Sequence, residues 1–418
     1  MYICKVHIVN ICCCKDLPID FGQKGSSILI SGDNGDGKST VIRAIAMGLC
    51  DEASASALLR EMSTNFVRAG EPTGTIEIEL CDGPHRYKIK TEITVLKAFE
   101  GLKQTLFKID KGKCEKVKPN DFPWNKIFVS AYGAGLRTGS MIQSEYTRYQ
   151  AVDSVYPLFR YDVPLQDPEL VFRRILDEAQ KRGGKFADQI RKHIESLLKK
   201  LLNLDPPDKV RLSSNGIEIK RKGWEDWTGQ SGLADGHQSA IIWFFDLVSW
   251  WLFYRKLLPQ KHIFDTTKIS GIVLIDEVEQ HLHPKWQLEI MRLIKEIFPK
   301  IQFIASSHSP LVISGAKKIP VLTLYHGMQR YQKVYGWLAE DVYREVMQLP
   351  TSREDEMEKQ IREYEELHLK SLQQKLSRKE KNKLASLKTI LRALPASDPI
   401  MLLSELKNLS RKMETKKK

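Results

Sequence analysis

Gly32-Asp33-Asn34-Gly35-Asp36-Gly37-Lys38-Ser39-Thr40 constrains this chain more than any other stretch. It fits the spacing GxxxxGK[ST]. The apolar run of residues 27–31 precedes it, and a helical pattern from Thr40 to Leu49 follows. Strand, glycine-rich loop and helix form the setting in which backbone N–H groups turn inward around phosphate oxygens, with a helix N-terminus behind them. Gly32, Gly35 and Gly37 permit that turn, and Asn34 and Thr40 complete the loop. Lys38 brings a fixed charge to the terminal phosphates, and the Ser39 hydroxyl is placed for Mg2+. The expectation is an α/β nucleotide-binding fold whose cofactors are ATP and Mg2+.

Residues 271–277 read GIVLIDE, a buried parallel strand ending in two carboxylates. Asp276 is positioned to hold Mg2+, and Glu277, one residue on, to polarise an attacking water. His308 lies in Ser306-Ser307-His308-Ser309-Pro310, just after an apolar strand at 301–305. There it can stabilise charge developing on the γ-phosphate. His281, His283 and His308 lack the cysteine or carboxylate partners that would complete a zinc site. The cysteines have no CxxC spacing, and Cys12, Cys13 and Cys14 on a strand would point to alternating faces. They read as small hydrophobes in a reduced compartment.

Along the chain, residues 2–11 alternate as a strand, and 74–95 form a hairpin turning at Asp82-Gly83-Pro84. A further pair is expected over 104–117. Residues 168–204 are helical with an interruption at Gly183-Gly184, a hairpin follows at 210–220, and an apolar helix spans 238–258. The apolar stretch Ile241 to Tyr254 is short for a membrane span and carries Asp246. Helix 284–297, strand 301–305 and short strands in 320–336 come next. After Pro350 the composition becomes charged and helical over 352–394, with a last helix at 400–413. The expected organisation is an ATPase domain at 1–350, with a β-rich first lobe and a helical insert at about 168–205. A C-terminal helical hairpin, an interaction region, occupies 351–418. The net charge of +13 favours an acidic partner such as nucleic acid. The opening strand is not a secretory leader, so the expected location is cytoplasmic, with no membrane partner.

Three segments now carry a likeness: the loop GDNGDGKST, LADGHQSA at 233–240, and DEVEQHLHP at 276–284 with SSHSP at 306–310. Together they resemble the ABC-type ATPases of the SMC, RecF and OLD group. Within that group they are similar to the small ATPase subunits of bacterial anti-phage systems, such as the PtuA subunit of Septu and the ATPase of PARIS. The likeness covers residues 1–345. It also takes in the opening segment, where cysteines stand in place of the group's usual aromatics. The resemblance implies that Leu233 to Gln238, including Ala234, Asp235 and Gly236, is a signature segment reaching the other subunit's γ-phosphate. Ala234 stands where the group has a phosphate-contacting serine, which implies slow hydrolysis. It further implies that Glu277 is the catalytic glutamate, His308 the switch histidine, and Glu279 to His283 a loop at the dimer interface. Gln143 is the candidate for the glutamine of the first lobe. The implied protein is an ATPase that sandwiches ATP as a dimer or higher oligomer and gates a separate effector, a nuclease. A RecF-like DNA-repair ATPase and a sensor scaffold that never touches DNA are the alternatives.

Overall fold

The computed structural model describes the chain apart from residues 24, 63, 98, 111, 134–150, 161, 255–263, 326–327, 350–352, 396–397 and 399–418. The chain divides into a large unit, Met1–Met347, and a smaller one, Gln348–Lys418.

In the large unit, β1 (Tyr2–Ile11) turns tightly into β2 (Cys14–Asp20), and β3 (Ile28–Ser31) leads through the glycine loop into α1 (Lys38–Gly48) and then α2 (Glu52–Arg60). A meander follows: β4 (Thr73–Asp82), β5 (His85–Val95), β6 (Glu100–Asp110) and β7 (Lys113–Val117). After β8 (Val129–Tyr132) come the insert helices α3 (Pro168–Gln180) and α4 (Gly184–Leu201). A small sheet of β9 (Lys209–Ser213), β10 (Gly216–Lys220) and β11 (Thr228–Gly229) precedes the apolar helix α5 (Asp235–Tyr254). Then follow β12 (Ser270–Ile275), α6 (Pro284–Gln287), α7 (Ile290–Ile297), β13 (Lys300–Ser306), α8 (Pro310–Gly315), β14 (Val321–Tyr325), β15 (Met328–Gln332) and α9 (Ala339–Glu345).

Two six-stranded sheets organise these elements. The first, in order β2-β1-β4-β5-β6-β7, is antiparallel throughout. The second, β15-β14-β3-β13-β12-β8, is parallel except for β15 at its edge. The parallel strands are apolar on both faces because both are covered. Residues one apart feed opposite cores: Ile272 and Leu274 face the core shared with the antiparallel sheet, whereas Val273 and Ile275 face the helices of the insert and α5. Helix α1 lies against the first of these cores and approaches β4 closely; a Cβ on Gly48 would sit 2.8 Å from Ile78 Cδ1. This α/β architecture, a parallel sheet with a β-rich first lobe and a helical insert, agrees with the expected fold class.

The insert helices follow from local signals. Asp167 accepts hydrogen bonds from the Glu169 and Leu170 N–H groups, and Pro168 opens α3. Ile190, Ile194, Leu198 and Leu201 bury one stripe of α4. The strand β2 is absent from the sequence reading because Pro18 and three acidic or basic neighbours obscure it. It is an edge strand, where a proline costs no ladder bond on its outer side. The helix expected over 284–297 is two pieces, breaking beside Leu288, whose carbonyl lies against Gly315 of α8.

Two features of the cysteines depart from expectation. Cys4, at an irregularity in β1, is disulfide-bonded to Cys81 on β4. Cys12 has a left-handed backbone, φ 45°, so the chain turns there, and Cys13 and Cys14 do not alternate as on a regular strand.

The smaller unit pairs α10 (Asp355–Gln373) with α11 (Arg378–Leu391). Ser377 and Glu380 form a capping box that starts α11. Ile361, Leu376, Leu387 and Leu391 are buried. Lys370 pairs with Glu380, and Lys383 with Glu363. The helix expected at 400–413 lies outside the described residues. Among the described residues, no helix is long and apolar enough to cross a membrane.

Candidate functional site

The sheet order determines what can meet. Strand β13 lies between β3, which leads into the glycine loop, and β12, which ends at the carboxylates. All three are parallel, so the glycine loop, Asp276-Glu277 and Ser306-Ser307-His308 emerge at the same edge. Ligands of open α/β sheets sit at this carboxyl edge.

In the loop, Asn34 and Gly35 are exposed at the tip, and Ser39 and Thr40 are half-buried at the start of α1. Gly37 caps the helix with φ 95°, a left-handed conformation, and contributes no side-chain bond. The Val41 N–H already bonds the Gly37 carbonyl, so those of Lys38, Ser39 and Thr40 precede the first intrahelical donor. Lys38 is only 7% exposed, and its ammonium donates to the carbonyls of Gly32 (2.7 Å) and Asp33 (3.0 Å). The Asp33 N–H donates to Asp36 Oδ2 at 2.8 Å, which closes the turn.

The carboxylate cluster is tightly tied. The Asp276 N–H donates to the Tyr132 carbonyl at 2.8 Å. The Ser306 hydroxyl donates to Asp276 Oδ1 and accepts from the Glu277 N–H at 2.8 Å. One serine thereby fixes both residues and leaves Asp276 Oδ2 for a cation. Glu277 has φ 55°, a left-handed conformation that is unusual for a side chain of this size and costs on the order of 1–2 kcal/mol. It turns the chain so that Glu277 is half-buried beside buried Asp276.

Glu279, which opens the segment expected at a dimer interface, is 6% exposed. Its Oε1 accepts from the His308 backbone N–H at 2.7 Å and lies 2.9 Å from His308 Nδ1. Its Oε2 is buried with no hydrogen-bond partner. The His308 ring remains about half exposed. Glu279 and His308 are 29 positions apart, and no spacing rule links them; only the neighbouring of β12 and β13 does.

The segment at 233–240 starts α5. Ala234 and Asp235 are exposed, and Gly236 is buried. A Cβ on Gly236 would lie 2.3 Å from the His281 carbonyl oxygen, so the residue must be glycine. His237 Nε2 is 2.8 Å from the Arg221 guanidinium, and its ring lies 5.2 Å from that of Trp286. Burial, with the Arg221 charge adding to it, lowers the His237 imidazole to about 4. Gln238 folds back to donate to the Leu233 carbonyl at 2.7 Å. A cavity of about 70 Å3 separates α5 from the carboxylate turn, with Ser239, Trp243, Asp276, Glu277 and Gln280 among its walls. Within one chain the segment thus packs on the turn after Glu277. Gln143 lies outside the described residues.

A glycine cradle with free helical N–H groups, a buried ammonium and a serine-held carboxylate suit a polyphosphate carrying a divalent cation. The comparisons agree with this chemistry. Residues 5–205 match a family described as AAA domain, and residues 149–314 match a second AAA family whose description names the AbiEii toxin and type IV TA systems. The Septu protein PtuA of Bacillus mycoides is 23% identical over 335 residues, 79% of this chain and 41% of that protein. The Septu protein PtuA of Bacillus thuringiensis is 35% identical over 108 residues, 23% of this chain and 27% of that protein. The Escherichia coli protein named "Retron Ec83 probable ATPase" is 37% identical over 105 residues, 23% of this chain and 19% of that protein. The chain spans less than half the length of these relatives. Among solved structures, an SMC head bound to the C-winged helix domain of ScpA matches 79% of this chain and 98% of its own at 16% identity, with a TM-score of 0.48. By these comparisons the chain is similar to AAA-domain proteins over residues 5–314, with Septu PtuA proteins and retron ATPases among its relatives.

Proposed function

We propose that this chain is the ATP-binding and hydrolysing subunit of a cytoplasmic bacterial anti-phage defence complex, in which ATP-dependent dimerisation gates a separate effector, a nuclease. The observation that carries the reading is the placement of the α5 N-terminus. Ala234 and Asp235 face outward, while the rest of the segment is locked onto the turn that follows Glu277. An outward helix start coupled to the carboxylate turn can report across a subunit boundary what happens at the phosphates. The Septu and retron relatives support the defence setting.

In this reading Lys38 and the loop N–H groups hold the phosphates, and Ser39 and Asp276 hold Mg2+, which supplies charge neutralisation at the phosphate oxygens. Gly32, Asn34, Gly35, Gly37 and Thr40 shape the phosphate cradle. Glu277 accepts a hydrogen bond from the attacking water, and His308, held by Glu279, faces the γ-phosphate. Ala234 to Gly236 come from the other subunit. Ala234 provides no hydroxyl, so turnover stays below the order of 10 s⁻¹, the enzyme median. The effector docks on the helices of the Gln348–Lys418 unit.

Light scattering tests the gate. Glu277→Gln with Mg·ATP should double in mass relative to the nucleotide-free protein. A mass that never responds to nucleotide removes the ATP-sandwich mechanism. A second reading, direct DNA contact as in a RecF-like ATPase, draws on the small sheet beside the signature segment. There the Arg211 guanidinium stacks 4.1 Å from the Trp227 ring, and Arg221 lies 5.7 Å from that of Trp224, which is 40% exposed. Salt-sensitive DNA binding lost in Trp224→Ala would favour it.

A further inference from the structure

The turn between β1 and β2 brings sulfur to the glycine loop. A Cβ on Gly37 would meet Cys13 Sγ at 2.4 Å and Cys14 Sγ at 3.5 Å, so both sulfurs abut the last glycine before Lys38. Arg68 holds this turn from behind, donating to the carbonyls of Cys12 (3.3 Å) and Cys13 (2.8 Å). Cys13 is exposed, Cys12 is half-buried and Cys14 is buried. A Cβ on Gly37 would also lie 3.9 Å from Thr40 Cβ, so the Cys13 and Cys14 sulfurs and the Thr40 side chain crowd around Gly37. The groups around Cys13 are therefore the Cys14 thiol, the Thr40 side chain, the N-terminal end of α1, and the carboxylate of Asp36, whose charge opposes ionisation.

We propose that Cys13 is an oxidant-sensitive modification site set against the phosphate loop, and that its oxidation by a hydroperoxide blocks nucleotide binding. This rests on the loop being the nucleotide site. The Cys13 thiolate attacks one oxygen of hydrogen peroxide; an S–O bond forms, the O–O bond breaks, and the second oxygen leaves as hydroxide, which takes up the proton the thiol released on ionising to give water. Sulfur loses two electrons and the peroxide gains them, giving Cys13 sulfenic acid, which excess thiol reduces back. The local chemistry favours the first step. The neighbouring Cys14 thiol, the largest influence, brings the Cys13 thiol down to about 6, and the same neighbour with burial pushes Cys14 up. Cys13, the exposed member of the pair, is thus the nucleophile. The consequence is steric and electronic. The sulfur already fills the space beside Gly37, so an oxygen added on that side displaces the loop or projects into the phosphate cradle.

Cys114, exposed on β7, is an internal control with no such surroundings. The full reduced chain would be treated with hydrogen peroxide and dimedone, with and without Mg·ATP, and each cysteine followed by mass spectrometry. Binding of a fluorescent ATP analogue would be measured before oxidation, after it, and after dithiothreitol. The expected result is Cys13 trapping at least 10-fold faster than Cys114, at least 10-fold protection by Mg·ATP at Cys13 alone, and a 10-fold or greater loss of affinity restored by thiol. Cys13→Ser should bind nucleotide and resist peroxide. Cys13 trapping at the rate of Cys114, or an oxidised protein that binds as the reduced one does, overturns the proposal while the nucleotide site stands. A reduced protein that binds no nucleotide overturns both.

Discussion

Helices α1 and α5 both begin beside the carboxylate edge, and each start depends on a glycine against a close neighbour. Gly37 lies against the Cys13 sulfur, and Gly236 against the His281 carbonyl. Their dressing differs. The first turn of α1 has no acidic residue and contributes Lys38 and Ser39. The first turn of α5 carries Asp235, preceded by Ala234. A carboxylate at a helix N-terminus offsets the positive end that would otherwise draw an anion. Helix α1 can therefore hold phosphate within a single chain. Helix α5 is a weak anion site by itself, and in the proposed mechanism it would contribute only when its N–H groups are pressed onto a phosphate held elsewhere. That mechanism would separate binding, within the monomer, from gating, in the pair.

The largest expected effect breaks the α1 side alone. Lys38→Ala removes the buried ammonium and should weaken Mg·ATP binding by roughly 100-fold or more, equivalent to about 3 kcal/mol. Calorimetry on the purified protein checks it, and a retained affinity would mean that the loop is not the nucleotide site. Next in size, Glu277→Gln should leave affinity within a few-fold and lower turnover by about 100-fold or more, as expected for loss of a positioned base. Steady-state phosphate release measures this. An unchanged rate would move the catalytic role away from the residue with the left-handed backbone.

The two helix starts were not equally legible in the sequence. The loop of α1 could be read outright because the phosphate chemistry fixes spacing over eight consecutive positions, Gly32 to Ser39. Asp276 and Glu277 were legible because a fully apolar strand ends on them. The α5 start was legible only through resemblance, since a helix beginning Ala234-Asp235-Gly236 is locally ordinary. Glu279 was not legible at all in its actual position. Its contact with His308 arises from strand order, and nothing in the hydrophobic pattern records which strands are neighbours. Strand β2 was hidden for the opposite reason: its edge position tolerates Pro18 and charged residues, so its pattern is blurred. The turn at Cys12 was misread because alternation assumes an extended backbone, and φ 45° there ends the strand.

Smaller effects sharpen the contrast from the α5 side. Ala234→Ser gives α5 the kind of hydroxyl that Ser39 gives α1. It should raise turnover by roughly 3- to 10-fold, about 0.7–1.4 kcal/mol of transition-state stabilisation, without changing the affinity of the monomer for nucleotide. If affinity rises instead and turnover does not, the segment acts on the ground state within one chain, and the division between binding and gating fails.

The smallest effect concerns how α5 is held in place. His237 is kept neutral by burial and by Arg221, at about 4, against an ordinary histidine value near 6.5. Its folded value is depressed, so the unfolded chain takes up the proton first. The stability it contributes is fully present above about pH 6.5 and is lost as pH falls towards 4. The side chain is only part-buried, so solvent reduces the loss to about 1 kcal/mol. Protonation also sets a second cation against Arg221 and loosens the ring from Trp286, so the start of α5 should yield before α1, whose first turn carries no histidine. At pH 4 the Glu277→Gln variant should accordingly bind Mg·ATP as a monomer yet assemble less than at pH 7.5. Substituting His237→Gln, which cannot charge, should flatten that dependence. Equal loss of binding and assembly in both proteins would mean that acid acts on the phosphate loop, and that the two helix starts are coupled more tightly than their different surroundings imply.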